Sequence, residues 1–223
     1  MSDAIRRFHD RREGGARVAD ALVRFAHARD TVVLGLPRGG VVTAHEIAKR
    51  LDLPLDTIVV RKLGTPGQPE LAMGAIARGG VRVLNDDVIR SLRISAREID
   101  AVSEQEEKES ARREALFRGG RPPLDLAGKT VIIADDGLAT GSTMFAAVEA
   151  IRAQNPACIV VAIPVAPPST VQRLRRKVDE VVCLTTPADF MAVGEWYDDF
   201  TQVTDQEVIE LLGAEVPVPA VAR

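Results

Sequence analysis

Five short runs in this chain are apolar at most positions: residues 31–36, 55–60, 131–134, 159–165 and 181–184. Runs of this length without polar alternation suit strands covered on both faces, as in a parallel sheet. After three of them apolar residues recur at helical spacing: Val41, Ala44, Ala48 and Leu51; Met144, Val148 and Ile151; Val171, Leu174 and Val178. Strands alternating with helices predict an α/β fold with right-handed crossovers. Val18, Ala21, Leu22 and Phe25 predict a further helix, following the charged stretch 10–13 and the pair Gly14-Gly15. Residues 63–80 are punctuated by Gly and Pro and read as a mobile segment, with a short strand over 81–84 behind it.

From 94 to 118 the chain turns strongly charged. Ser95 and Glu98 form a capping box that opens a long helix. Its apolar stripe of Ile99, Val102, Ala111, Ala115 and Leu116 is thin, so most of it should be solvated and laced with salt bridges. Residues 121–128 read as a linker. Thr204 and Glu207 cap a final helix through Leu212, Gly213 ends it, and the tail 214–223 should be loose.

Composition changes this picture little. The 223 residues are 46% hydrophobic, enough for one domain over 1–223 with a substantial core. A net charge of −3 gives no electrostatic reason to bind nucleic acid or an anionic membrane. Cys158 and Cys183 sit among strand-forming residues and read as reduced core thiols, and the N-terminus has no apolar leader, so a soluble cytoplasmic protein is expected. His9, His27 and His45 lack metal-ligand spacing, Ser142 lacks the hydrolase elbow, and no nucleotide-hydrolase phosphate loop precedes the acids.

The chemistry concentrates in residues 131–143, Val-Ile-Ile-Ala-Asp-Asp-Gly-Leu-Ala-Thr-Gly-Ser-Thr. An apolar strand ends in Asp135 and Asp136, and a loop rich in small and hydroxylated residues then feeds a helix. Loop N–H groups, hydroxyls and the helix dipole converge on one anion, while the acids can accept from sugar hydroxyls or hold Mg²⁺. The alternative is a plain strand-loop-helix in which the acids cap the helix. A second anion loop, Pro37-Arg38-Gly39-Gly40, follows the first strand; its glycines permit close backbone approach and Arg38 offers a donor fork. Arg61-Lys62 ends the next run, where adjacent cations can neutralise an anionic leaving group.

At these residues the chain resembles the type I phosphoribosyltransferases, over roughly 31–200 and most specifically at 131–143. The resemblance implies that Asp135 and Asp136 bind the ribose 2- and 3-hydroxyls of 5-phosphoribosyl 1-diphosphate and contribute to Mg²⁺ binding. Ala139, Thr140, Gly141, Ser142 and Thr143 would hold the 5-phosphate, and Arg38, Gly39 and Gly40 the diphosphate. Arg61-Lys62-x-Gly64 resembles the adenine-using members, with Arg61 and Lys62 stabilising the departing diphosphate. The flexible lid would span 63–80, with Glu70 in it as an acid or base toward the incoming base. The resemblance also implies a C-terminal hood over 185–203, in which Phe190, Val193 and Gly194 face the base and Asp198 reaches Mg-diphosphate; Trp196 belongs to the same aromatic segment. A small cluster stapling this piece to the core is the other reading of its aromatics.

The implied core has five parallel strands in order 3-2-1-4-5, which makes strands one and four neighbours and brings Arg38 and Asp135 to one switch point. The resemblance also implies a homodimer as one option, since such relatives are commonly dimers, and the charged helix is a candidate surface for it. The implied activity is transfer of the phosphoribosyl group to a nitrogen nucleophile, such as a nucleobase, with Mg²⁺. The alternative is a regulatory protein that binds the same diphosphate sugar or a nucleotide without chemistry. Ala139 stands where 6-oxopurine enzymes carry an acid, and 163–166 lacks their lysine, which counts against hypoxanthine and guanine.

Overall fold

The computed structural model describes residues 7–77 and 80–213. In chain order these form α1 (Arg11–Ala21), β1 (Thr31–Gly35), α2 (Gly39–Leu51), β2 (Leu55–Thr57), β3 (Val60–Thr65), β4 (Gln68–Ala77) and β5 (Arg82–Leu84). Then follow α3 (Asp86–Leu92), α4 (Ala96–Arg118), β6 (Thr130–Ala134), α5 (Ser142–Arg152), β7 (Cys158–Val165), α6 (Pro168–Leu174), β8 (Glu180–Thr185) and α7 (Asp205–Leu211). The tail expected to be loose lies outside the described residues.

The core is a parallel sheet of order β2-β1-β6-β7-β8. Successive strand residues face opposite sides, and each side is buried under its own helices. Val33, Ile132, Ala134, Val160 and Ala162 pack with Val18, Leu22, Ala44 and Ile47 of the α1–α2 region. Val32, Val131, Ile133, Val161 and Ile163 pack with Met144, Val148, Ile151 and Leu174 of α5 and α6. Fully burying each large aliphatic side chain contributes about 1.5–3 kcal/mol, which explains why uninterrupted apolar runs became the strands.

Counted along the chain this order is 2-1-3-4-5, not the expected 3-2-1-4-5. Among the described residues no parallel strand lies outside β2, because the chain leaves the sheet after Thr57. The backbone of Val59 is taken up by α4 instead: its N–H donates to Glu114 Oε1 at 3.1 Å and its carbonyl accepts from Ser110 Oγ at 3.0 Å. The run 55–60 is therefore split between β2 and β3, and Arg61-Lys62 lies within β3 rather than at the end of a core strand. The adjacency needed by the site, β1 beside β6, is present, with Gly35 opposite Ala134.

Of residues 63–80, expected as a flexible loop, the described part 63–77 is strand on both sides of a turn. β3, β4 and β5 make a separate antiparallel sheet, turned at Pro66-Gly67, where Gly67 has φ +77°. A type II turn requires positive φ at its third residue and commonly has proline at its second, which Pro66-Gly67 supplies. Leu63, Met73 and Ile76 bury one face of this sheet against Ile99 of α4.

The capping box of Ser95 and Glu98 opens α4. Its buried face is the expected one only in part. Ile99 is buried and Val102 and Leu116 pack against apolar clusters, but Ala111 and Ala115 are exposed, whereas Ser103, Ser110, Glu114, Phe117 and Arg118 are buried. Along this face Glu106, Ser110, Glu114 and Arg118 recur every four residues and grip residues 56–61. Arg61 Nε donates to Glu106 at 2.7 Å, and Arg118 reaches Asp56 Oδ1 at 2.8 Å and the carbonyl of Thr57 at 2.6 Å. The outer face carries the expected exposed pairs, such as Lys108 with Glu104.

Candidate functional site

β6 ends in Asp135 and Asp136 at the carboxyl edge of the sheet, and Gly141, with φ +76°, is the cap residue from which α5 starts. The first-turn N–H groups of a helix have no acceptor within it, which suits an anion. Ala139, Thr140, Ser142 and Thr143 are exposed around this point. Thr140 Oγ1 and Ser142 Oγ lie 3.1 Å apart, and Thr170 Oγ1 pins the loop through the Ala139 carbonyl at 2.7 Å. A cleft of about 680 Å³ between this region and the β3–β5 sheet meets the motif only at Ser142.

β1 leads into Pro37-Arg38-Gly39-Gly40, and this loop lies directly against the two acids. A Cβ on Gly39 would fall 1.9 Å from Asp136 Oδ2, and one on Gly40 2.8 Å from Asp135 Oδ1 and 2.9 Å from the Ala134 carbonyl. Only glycine fits this approach. Arg38 is half-exposed, with Nη1 3.7 Å from Asp205 Oδ1 at the start of α7.

Arg11 was missed by sequence reasoning, which placed it in a charged stretch before the helix. Its Nε donates to Asp136 Oδ2 at 2.6 Å, Nη1 donates to the Thr201 carbonyl at 2.8 Å, and the guanidinium lies 3.8 Å from the centre of the Phe200 ring. Asp10-x-x-Glu13 was the available signal. Asp10 accepts from the Glu13 N–H at 2.8 Å while Glu13 accepts from the His9 N–H at 2.6 Å, so the helix begins at Arg11. Gly14 and Gly15 lie inside that helix and allow close packing: a Cβ would meet Pro164 and Tyr197 at the first and the Thr43 carbonyl at the second.

The two carboxylates differ in environment. Burial pushes Asp135 well above the usual range, and the neighbouring Asp136 charge adds to it. Burial also raises Asp136, but Arg11 opposes the shift. Among the described residues Asp135 has no cation against it; its Oδ1 accepts from the Asp136 N–H at 2.9 Å.

The remaining expected residues are distributed around this centre. Arg61 pairs with Glu106, and Lys62 with the exposed carboxylate of Glu70 at 3.2 Å, so the structure joins these three to acids and cations of the hairpin and α4. Val193 packs on the motif: a Cβ on Gly137 would fall 2.6 Å from Val193 Cγ1. Gly194 meets Phe200 in the same way at 2.9 Å. Phe190 and Trp196 are partly buried and Asp198 is exposed. Tyr197 is buried, donates its hydroxyl to the Asp136 carbonyl, stacks on Phe200 at 5.1 Å and meets Phe8 in a tilted contact at 5.5 Å. Part of the aromatic segment is thus a staple to the N-terminal region, with a bridge between Phe8 and Tyr197.

Among the described residues no group of three or more His, Cys, Asp or Glu is assembled for a metal, and no helix is long and apolar enough to cross a membrane. Mg²⁺ takes one or two carboxylates and completes its shell with water and phosphate oxygens. Asp135, with no cation beside it, fits that role; Asp136 already engages Arg11.

A family model described as "Phosphoribosyl transferase domain" matches residues 3–199. The chain is 49% identical over 205 residues to a protein of Mycobacterium tuberculosis (strain ATCC 25618 / H37Rv) named "Putative phosphoribosyl transferase Rv0571c". That match covers 92% of this chain and 46% of the relative, so the chain spans about half the relative's length. Among solved structures it is similar to TT1426 from Thermus thermophilus, with TM-score 0.79 and 42% identity, covering 92% of this chain and 97% of that one. With fold, loop placement and family model in agreement, the chain belongs to the phosphoribosyl transferase domain family.

Proposed function

We propose that this chain transfers the phosphoribosyl group of 5-phosphoribosyl 1-diphosphate to a nitrogen nucleophile, a nucleobase among the candidates, and releases diphosphate. One observation carries this reading: the Gly39-Gly40 backbone is pressed against Asp135 and Asp136 at the edge where β1 and β6 run side by side. A diphosphate on the first loop and a ribose on the acids would then share one short span, with the 5-phosphate at the α5 N-terminus.

In this mechanism the C1–O bond to diphosphate breaks as the C1–N bond forms, and the nucleophile's proton leaves to solvent or a base. Asp135 and Asp136 orient the ribose, the 139–143 loop fixes the phosphate, and the N–H groups of 39 and 40 receive diphosphate oxygens. Mg²⁺ held by Asp135 would supply charge neutralisation to the leaving group. Arg61 and Lys62 would join the leaving group only by leaving Glu106 and Glu70, a movement of the hairpin or of the side chains alone. The acid that 6-oxopurine use requires is missing at Ala139, and β7 closes in buried Val165 and Ala166, which supports acceptors other than hypoxanthine and guanine.

The experiment is incubation with 5-phosphoribosyl 1-diphosphate, Mg²⁺ and a panel of nitrogen acceptors, read by mass spectrometry and diphosphate release. A new ribosylated product supports the transferase. Unchanged ligand recovered with tight binding supports the regulatory alternative.

A further inference from the structure

We infer that Arg11 is a positioning residue of this site, holding the Asp136 carboxylate for the ribose and tying it to the hood; the inference rests on the phosphoribosyl reading above. Two separate parts of the chain meet at its guanidinium: Asp136 of the motif at 2.6 Å, and the adjacent residues Phe200 and Thr201, the ring of the first at 3.8 Å and the accepting carbonyl of the second at 2.8 Å. A third part touches the pair. A Cβ on Gly39 would lie 2.8 Å from Arg11 Nε as well as against Asp136. Arg11 is only 9% exposed, so its orientation is set by these contacts rather than by solvent.

The chemistry suits a holder. A carboxylate has about four lone-pair sites, and Arg11 Nε takes one of them, leaving acceptors for a sugar hydroxyl. The planar fork serves two partners from two nitrogens while its face lies on an aromatic ring, which an ammonium does not reproduce. Tyr197 fixes the backbone of the same aspartate through its carbonyl. Both halves of Asp136 are therefore held from elements remote in sequence, whereas the Asp135 side chain accepts from the next backbone N–H and, among the described residues, forms no ion pair. The two adjacent acids thus differ: Asp135 is left without a cation of the protein, and Asp136 is oriented from behind.

The test uses calorimetric titration of the full chain and of Arg11→Met, Arg11→Lys, Asp136→Asn and the Arg11→Met/Asp136→Asn double variant, with thermal unfolding of each. Ligands are 5-phosphoribosyl 1-diphosphate with Mg²⁺, and inorganic diphosphate with Mg²⁺. Arg11→Met should weaken the diphosphate sugar by about tenfold or more, the scale of one charge-assisted hydrogen bond, and leave inorganic diphosphate nearly unchanged. The double variant should bind no worse than Asp136→Asn alone, the mark of two residues acting through one contact. Arg11→Lys should bind between parent and Arg11→Met. Parent-like affinity in Arg11→Met, or losses that multiply in the double variant, would overturn the inference and leave the functional reading standing. Should Arg11→Met not fold, Arg11→Lys decides, and parent-like binding of the diphosphate sugar by it counts against the inference. A parent that binds neither ligand removes the phosphoribosyl reading itself.

Discussion

Glu114 and Arg118, one turn apart on α4, form an ion pair at 2.7 Å that is closed off from solvent on both sides. Arg118 also reaches Asp56 at 2.8 Å, so one guanidinium binds β2 to the helix. Asp56 Oδ2 in turn accepts from the Leu124 N–H at 3.1 Å, which fastens the stretch leading into the central strand. The Arg118 charge is favoured despite its burial, which by itself would depress its affinity for a proton, because both acids surround it.

Removing one partner from such a group leaves buried charge without compensation. Arg118→Met should therefore lower stability by about 3–5 kcal/mol, measured as the urea midpoint at constant slope. A loss under about 1 kcal/mol would mean the acids have been rehydrated through the cavity of about 370 Å³ that Asp56, Glu114 and Arg118 line.

Gly39→Ala places a methyl where Asp136 and Arg11 now meet. The variant should unfold below the parent temperature and bind the diphosphate sugar at least about tenfold more weakly, as an acid forced off its partners loses a charge-assisted bond and leaves a largely buried charge unpaired. Titration calorimetry checks this, and unchanged affinity would show that the loop retreats without disturbing the acids.

Asp135 gives a pH signature in the ligand-free protein. Its folded pKa is raised, so the folded state holds a proton that the unfolded chain releases, and this group's contribution to stability is lost as pH rises through the folded pKa. Asp135→Asn removes that dependence. The variant should melt above the parent at neutral pH, and the difference should shrink as pH falls toward the ordinary carboxylate range of about 4. Scanning calorimetry from acid to neutral pH decides, and a variant that melts below the parent at every pH would refute it.

Thr140→Val and Arg38→Ala should fail in opposite ways. The first removes a hydroxyl beside the α5 N-terminus and should weaken ribose 5-phosphate while sparing inorganic diphosphate. The second should hurt diphosphate more, each by about 0.5–3 kcal/mol. Equal losses for both ligands in both variants would separate neither loop from the other.

Hydrogen exchange tests the hairpin as a lid. Backbone amides at the turn around Pro66 and Gly67 should exchange fastest in the free protein and slow when diphosphate sugar and Mg²⁺ are added. Exchange that is slow throughout without ligand would make β3 and β4 a fixed wall.

The sequence made β1, β6, β7 and their helices legible because doubly covered strands must be apolar along their whole length. The capping residues Ser95 and Thr204 were legible for a similar reason, since their bonds are local. The hairpin was not. Its strands shift register around Leu63 and Gly64, which breaks the two-residue alternation, and Pro66-Gly67 reads as loop punctuation until the pairing on either side is known. The buried face of α4 was legible at Ile99, Val102 and Leu116 but not at Ser110, Glu114 and Arg118, because that part of it is polar and carries no apolar periodicity. Asp135 and Asp136 stand out in the sequence as a pair at a strand end; Arg11 does not, because Asp10-x-x-Glu13 marks where the helix starts but not that its first residue reaches position 136, 125 residues away.

The bridge between Phe8 and Tyr197 has a consequence for the timing of assembly. Arg11 and its Thr201 acceptor are 190 positions apart, so during synthesis α1 exists long before the segment that finishes its surroundings. Contacts of such separation carry a large loop-closure cost and form late. A nascent chain that has not yet released Thr201 from the ribosome has both anion loops but an incompletely anchored Asp136. Tight ligand binding would then report a finished molecule, and ligand added during refolding would favour the last step over the earlier ones.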